Sequence, residues 1–332
     1  MDITAYKNVF VFVEQREGQI QNVALELLGK ARDLADALHE EVYAVLLGYE
    51  IKNQAQKLIA HGADKVLVVE DKDLRVYTTE PYTQAIVSIV KEKKPSVLLL
   101  GATTIGRDLG PRISARLETG LTADCTELAI DETSKDLLMT RPAFGGNLMA
   151  TIMCSERRPQ MSTVRPGVML VRAQDPQRKG EIEEIKVNFD RSKFRVRVKE
   201  IVKAQKNLVD ITTAHVLVSG GRGVGDAAGF DKLKELAACL SGEVSSSRAM
   251  VDSGLMDHAR QVGQTGKTVR PDVYFAMGIS GAIQHLAGME NSDLIIAVNK
   301  DKYAPIFEVA DLGLVCDLKK LLPVLIEKLS KK

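Results

Sequence analysis

Short, unbroken apolar runs recur near the start of the chain, at Val9–Val13, Val42–Leu47, Val66–Val69 and Val97–Leu100. Runs of this length without polar alternation predict strands covered on both faces. Between the first two, Val23, Leu27, Ala31, Leu34 and Leu38 form one stripe at helical spacing that closes just before Val42. Strands alternating with helices predict right-handed crossovers and a parallel sheet. Further on, Ile182, Ile185 and Val187 alternate with polar residues, as do Phe194, Val196 and Val198. That period predicts half-exposed antiparallel strands at the rim of a first domain.

The pattern dissolves into charged and amide residues over Lys199–Asp210, and a new apolar strand begins at Val216–Val218. The boundary is therefore set between a first domain, 1–205, and a second, 206–332. In the second, a helical stripe at Phe230, Leu233, Leu236 and Leu240 is followed by strands at Val273–Ala276, Leu294–Val298 and Leu312–Val315. A terminal helix carries Leu325, Ile326 and Leu329, with Pro323 in its first turn, where a missing amide hydrogen is harmless. The expected fold class is α/β, with two doubly wound parallel-sheet domains and an antiparallel rim added to the first.

Composition narrows the function classes. The 332 residues, 45% of them hydrophobic, suffice for two cores. Lys plus Arg (45) balances Asp plus Glu (44), which gives no basic footing for nucleic acid or an anionic membrane. Cys125, Cys154, Cys239 and Cys316 are scattered without CxxC or nearby His, so neither a metal site nor a disulfide framework is expected. A reducing cytoplasm is the simplest location. The first residues lack a cationic stretch before an apolar core, which argues against a signal peptide. No apolar run reaches the ~18 residues that span a bilayer, so membrane insertion is not expected.

Glycine, serine and polar residues concentrate in four turns of the second domain: Ser219–Gly225, Ser245–Arg248, Gln261–Gly266 and Gly278–His285. In the last, strand Val273–Ala276 runs through Gly278-Ile-Ser-Gly281 into a helix carrying Ile283 and Leu286. Backbone amides at such a turn bind anions, and glycines let a pyrophosphate approach the chain. Four such turns at one sheet edge point to a dinucleotide. A flavin suits the side chains better than a nicotinamide. His285 can donate toward the negative charge that a reduced isoalloxazine carries near N1 and its C2 carbonyl, Thr265 can serve N5, and Arg248 can lie against the ring. The alternative reading of each is structural: a helix histidine, a turn hydroxyl, a surface cation.

At these residues the chain resembles the alpha subunits of electron-transfer flavoproteins. The resemblance is carried by Gln261-Val-Gly-Gln-Thr-Gly-Lys267, Gly278-Ile-Ser-Gly-Ala-Ile-Gln-His-Leu-Ala-Gly288, Ala297-Val-Asn-Lys-Asp301 and Ala304-Pro-Ile-Phe307. It continues in the first domain at Gly101–Asp108, Gly120–Cys125 and Arg141–Gly146, so it covers nearly the whole chain. It implies FAD contacts at Arg222, Ser247, Arg248, Val262, Gly263, Gln264, Thr265, Ser280, Gly281, Ala282, Ile283, Gln284, His285, Asn299, Asp317 and Leu318. In it Ser280–Ala282 meets the pyrophosphate, while Asn299 and Asp317 hold the adenosine side. Read alone, those last two are turn or helix caps.

A second resemblance, at Arg157–Gly167, is to members that bifurcate electrons from NADH. It implies that Arg165 approaches N5 of a second FAD held by the small (beta) subunit. The structural alternative is that Arg157, Arg158 and Arg165 form ion pairs or cover a sheet edge. The family further implies a heterodimer with that beta subunit, a hinge over Lys199–Asp210, and exchange with an acyl-CoA dehydrogenase and with ferredoxin or flavodoxin. Other readings stay open: an ordinary single-FAD carrier with AMP in its partner, a nicotinamide-dependent dehydrogenase, and a nucleotide-sensing subunit. The dehydrogenase would want an acidic residue ~20 positions past the glycine turn. Glu243 stands near there, but no second strand is evident between Gly221 and it. Asp124, Cys125 and Glu127 lack a histidine and make a poor nucleophilic site.

Overall fold

The computed structural model describes residues 2–143, 148–202 and 210–330. They divide into two compact units, one ending at Val202 and the other holding everything described from Asp210 onward. Most of the expected hinge, residues 203–209, and the Phe144–Gly146 part of one family motif lie outside the described residues.

The first unit is built on a seven-stranded sheet with Val9–Val13 at its centre. On one side stand Val42–Gly48, Lys65–Glu70 and Glu181–Glu184; on the other stand Val97–Gly101, Gln160–Val164 and Leu121–Cys125. All pairings are parallel. Both faces are covered, which is why these strands read as unbroken apolar runs. Val9, Val11 and Val13 pack under helix Asn22–Leu38, whose stripe of Val23, Leu27, Ala31 and Leu34 is buried. Phe10 and Phe12 face the opposite layer, formed by helices Thr79–Lys93 and Thr104–Leu117. A separate three-stranded antiparallel sheet comprises Glu127–Ile130, Leu137–Ala143 and Leu148–Ile152.

The antiparallel rim is therefore present, but the residues expected to form it are not in it. Glu181–Glu184 joins the main sheet in parallel beside Lys65–Glu70, and Phe194–Val198 forms no strand. Alternation reports one exposed face and is silent on strand direction, which the preceding crossover sets. Gln160–Val164 shows the reverse problem. It is wholly buried inside the sheet, yet only Met161 and Val164 are apolar. Its polar members find partners in the core: Gln160 donates to Asp136 and to the Cys154 carbonyl, each at 3.1 Å, and Thr163 Oγ1 accepts from the Asp124 amide at 3.0 Å.

The second unit is a five-stranded parallel sheet in the order Glu243–Ser246, Val216–Gly220, Val273–Met277, Ile295–Asn299, Leu312–Val315. Successive residues face opposite layers. Val218, Met277 and Val298 pack with helix Ala227–Cys239 and the last helix, whereas Leu217, Tyr274, Ile295 and Ala297 pack under Val262, Met289 and Ile306. The missing second strand is present at Glu243–Ser246, with its polar residues Ser245 and Ser246 buried on opposite faces. The last helix runs from Leu318 to Leu329 with Asp317 as its N-cap, so Pro323 sits in the interior and not in the first turn. The stripe Leu318, Leu322, Leu325, Ile326 and Leu329 packs on the core and offsets the lost hydrogen bond.

Glu26 is a buried carboxylate on the first helix, accepting from the Gly167 amide at 2.8 Å. Burial pushes its pKa from 4.5 up to about 7. The folded chain therefore holds a proton that the unfolded chain has released. The associated stability is full below about pH 4.5 and is lost as pH rises through about 7. Unfolding of the first unit by urea is expected to cost about 3 kcal/mol more near pH 4.5 than at ~pH 8 from this group alone. Glu26→Gln should remove that component; an unchanged pH profile in the variant would show that Glu26 is not its source.

Candidate functional site

In a doubly wound sheet ligands sit beyond the carboxyl ends of the strands, where the order of connection reverses. In the second unit this point lies between Val216–Gly220 and Val273–Met277, because the chain goes from the first of these to the outer strand Glu243–Ser246 before returning to the other side. A cavity of about 1000 Å³ opens there, lined by the turns after all five strands and by Gln261–Thr265. Of the residues proposed to hold a dinucleotide, all line it except Gly281 and Ile283.

The cavity floor is made by backbone meeting backbone. The Gly221 amide donates to the Met277 carbonyl at 2.9 Å and Gly223 to Gly278 at 3.0 Å. A Cβ on Gly223 would stand 2.7 Å from Gly278 Cα, and one on Gly221 2.4 Å from the Gly278 carbonyl oxygen. Gly278 also has φ of 65°. Only glycines let these two turns touch. Around them, Ser247 donates to Gly220 at 3.0 Å, Gln264 to Gln284 at 2.7 Å, and Asn299 Nδ2 to the Ile279 carbonyl at 2.9 Å. Among the described residues, the amides of Ser280, Gly281 and Ala282 have no acceptor. These are amides that an anionic group can use. The helix that follows, Ile283–Leu286, is a single turn, so its dipole adds little.

His285 is buried, its Nε2 3.0 Å from the hydroxyl of the fully buried Tyr274. Its Nδ1 has no hydrogen bond of good geometry, though the Val262 carbonyl beside the ring favours protonation. Burial outweighs that carbonyl and lowers the pKa to about 4, so the ring is neutral near pH 7. Thr265 is at the surface and accepts from Gln261 Nε2 at 3.0 Å. Arg248 is two-thirds exposed and pairs loosely with Asp252 at 3.3 Å, and Arg222 makes no ion pair among the described residues. Asp317 caps the last helix through the Lys319 amide at 2.9 Å, and Asn299 accepts from the Asp301 amide at 3.0 Å. Both are caps and both line the cavity. The two readings of these residues are compatible.

Comparison with known proteins matches residues 9–190 to the electron transfer flavoprotein domain and residues 210–290 to the electron transfer flavoprotein FAD-binding domain. The electron transfer flavoprotein subunit alpha of Thermoanaerobacterium thermosaccharolyticum is 55% identical over 98% of this chain and 98% of its own length. The chain belongs to the electron transfer flavoprotein alpha-subunit family. The acryloyl-CoA reductase electron transfer subunit beta of Anaerotignum propionicum is 46% identical over 99% of this chain and 97% of that one. The lactate dehydrogenase (NAD(+),ferredoxin) subunit LctC of Acetobacterium woodii is 40% identical over 98% of this chain and 78% of that one.

In this flavoprotein alpha chain Arg165 belongs to the first unit and is not among the residues that line the second unit's cavity. It is buried, with Nε and Nη2 on the two carboxylate oxygens of Asp124 at 3.2 and 2.8 Å. Arg158 is also engaged, with Asp136 at 2.8 Å. Cys125 is buried and its thiol pKa is raised by that burial, which leaves it a poor nucleophile. No helix among the described residues is long and apolar enough to cross a membrane. Sequence reasoning missed Tyr274 beneath the site, and it assigned Ser219 and Ser245 to turns, whereas both lie in strands. It also missed the rim cations Lys300 and Lys319, which carry no periodic signal.

Gly278 and Gly254 both have positive φ, 65° and 75°, but a Cβ at Gly254 meets nothing within 4 Å. Gly254→Ala should cost the ~1–2 kcal/mol of backbone strain alone. Gly278→Ala should cost a further ~1–3 kcal/mol in urea denaturation of the second unit, because it drives the turns apart. Equal losses would mean that the contact between the turns carries no stability.

Proposed function

We propose that the cavity of the second unit holds one FAD and that the chain passes electrons between protein partners instead of transforming a substrate of its own. The observation that carries this reading is the cavity floor, where close glycine turns and the open amides of Ser280–Ala282 stand beside His285, whose buried Nδ1 has no hydrogen bond of good geometry. FAD, when bound, takes up and releases electrons one or two at a time and gains negative charge near N1 and the C2 carbonyl. His285 offers a donor to that charge, while Arg248 and Arg222 at the rim make the cavity positive. The Ser280–Ala282 amides and the close glycine turns suit a pyrophosphate, and Asn299, Asp317 and Leu318 suit the adenosine. The histidine that lines the cavity is held at Nε2 by Tyr274, and burial makes its ring a weak base.

The partners proposed are a beta subunit, with which the chain forms a heterodimer, an acyl-CoA dehydrogenase, and ferredoxin or flavodoxin. The Anaerotignum relative is named for acryloyl-CoA reductase and the Acetobacterium relative for NAD(+) and ferredoxin, which supports redox partners of these kinds. In this reading the beta subunit carries a second FAD, Arg165 reaches its N5, and NADH drives bifurcation. The engagement of Arg165 by Asp124 favours a second reading, an ordinary carrier with a single FAD and AMP in the partner. In that case the arginine is a structural ion pair of the first unit.

The visible spectrum of the purified heterodimer separates these readings. Two flavins per heterodimer are expected; one flavin with AMP would select the ordinary carrier, and colourless protein would reject both. Arg165→Ala should abolish NADH-driven ferredoxin reduction coupled to acyl-CoA dehydrogenase and leave the FAD of this chain bound and reducible. Arg165→Lys, which keeps the charge and loses the planar fork, should be intermediate. Undiminished coupling in the Ala variant would reduce Arg165 to its pairing with Asp124.

A further inference from the structure

Tyr274 is fully buried on the central strand of the second unit, in a layer otherwise made of residues such as Leu217, Ala276, Ile295 and Ala297. A phenylalanine would fill that space equally well, and a buried hydroxyl costs ~1–3 kcal/mol unless it is bonded. Its one hydrogen bond of good geometry is to His285 Nε2, at 3.0 Å. Two more hydroxyls lie beside the phenol. Ser219 and Ser245 face each other in register on adjacent strands, are fully buried, and have no well-formed bond of their own. Both favour the ionised phenol, but burial dominates and drives its pKa upward, so the phenol is neutral. Tyr274 does not line the cavity, whereas His285 does.

A neutral imidazole has one donor and one acceptor nitrogen, and the bond made by the first decides the role of the second. A neutral phenol donating to Nε2 puts the ring hydrogen on Nδ1. Nδ1 is buried without a hydrogen bond of good geometry, and the Val262 carbonyl beside the ring favours a hydrogen there.

We propose that Tyr274, with Ser219 and Ser245 packed at its hydroxyl, is the positioning residue of His285: its hydroxyl holds Nε2 and keeps the ring hydrogen on Nδ1, presented to an acceptor oxygen of the bound cofactor. This rests on the reading that the cavity holds FAD. Tyr274 touches no cofactor in this scheme; it sets the tautomer and orientation of the group that does. Without it the ring would be free to place its hydrogen on either nitrogen, and the donor facing the cavity would be present only part of the time.

The test is Tyr274→Phe in the full-length chain with its beta subunit, an isosteric change that keeps the core packed. Three quantities are read: bound FAD by absorbance, the tautomer of His285 by ¹⁵N NMR of histidine-labelled protein, and the potential for the first electron by spectroelectrochemistry. FAD stoichiometry should stay at the wild-type value. The His285 signals should move from the Nδ1–H form toward a mixture, and uptake of the first electron should become about tenfold less favourable, which is about 59 mV for one electron. In a His285→Ala background, Tyr274→Phe should change the potential no further. An unchanged tautomer and potential would overturn the proposal, as would an equal loss of potential in both backgrounds, which would make Tyr274 a packing residue. A flavin-free wild-type complex would instead defeat the FAD reading, and the tautomer comparison made on that protein would still decide the role of Tyr274.

Discussion

The second unit depends on two glycine turns touching backbone to backbone at the carboxyl edge of its sheet. Gly221 and Gly223 donate to Met277 and Gly278 across a gap that no side chain can enter. Because the turns after strands Val216–Gly220 and Val273–Met277 are locked together, every other part of the cavity has a fixed reference. Ser247 hangs from Gly220, Asn299 from Ile279, and Gln264 from Gln284. The site is thus tied to the sheet by main-chain hydrogen bonds and by the short Asn299 side chain, and its side chains are presented from positions that do not depend on rotamers of long residues.

Behind that site the unit keeps a polar patch inside an apolar layer. Tyr274, His285, Ser219 and Ser245 are all buried, and only the Tyr274–His285 bond is well formed. Such a group of polar atoms is destabilising in a core built only for stability. Its position under a cavity wall accords with the proposed role, in which it prepares a ring nitrogen for the cofactor. The low pKa of His285 belongs to the same arrangement, since a neutral ring can serve as an oriented donor, and negative charge arriving nearby would pull the pKa back up.

The first unit handles buried polarity differently, by pairing it internally. Arg165 is held by Asp124, Arg158 by Asp136, and Glu26 by the Gly167 amide two residues beyond Arg165. Asp124 takes up φ of 62°, a left-handed conformation that is costly for a non-glycine residue, and its amide is tied to Thr163. The backbone on both sides of the Arg165–Asp124 pair is therefore anchored. Whatever Arg165 meets in a partner must compete with a bidentate carboxylate already in place.

Periodicity alone was sufficient for the class of fold, because strands buried on both faces and amphipathic helices leave opposite signatures in the order of residues, as at Val9–Val13 and Val23–Leu34. The density of glycine and serine after Ser219, Ser245, Gln261 and Gly278 was likewise enough to mark the turns of the site, since close backbone approach admits few other residues. What the linear order left undecided was direction and partnership. Whether Glu181–Glu184 ran parallel or antiparallel depended on the crossover before it. Gln160–Val164 and Glu243–Ser246 became strands because hydrogen bonds inside the fold satisfied their polar residues, and Pro323 stayed within a helix because packing of its apolar stripe outweighed one lost bond. The joining of Tyr274 to His285 and of Asp124 to Arg165 came from the tertiary structure alone: each pair meets only when separate strand ends and turns are brought to one edge of a sheet, and local sequence carries no signal for that distance.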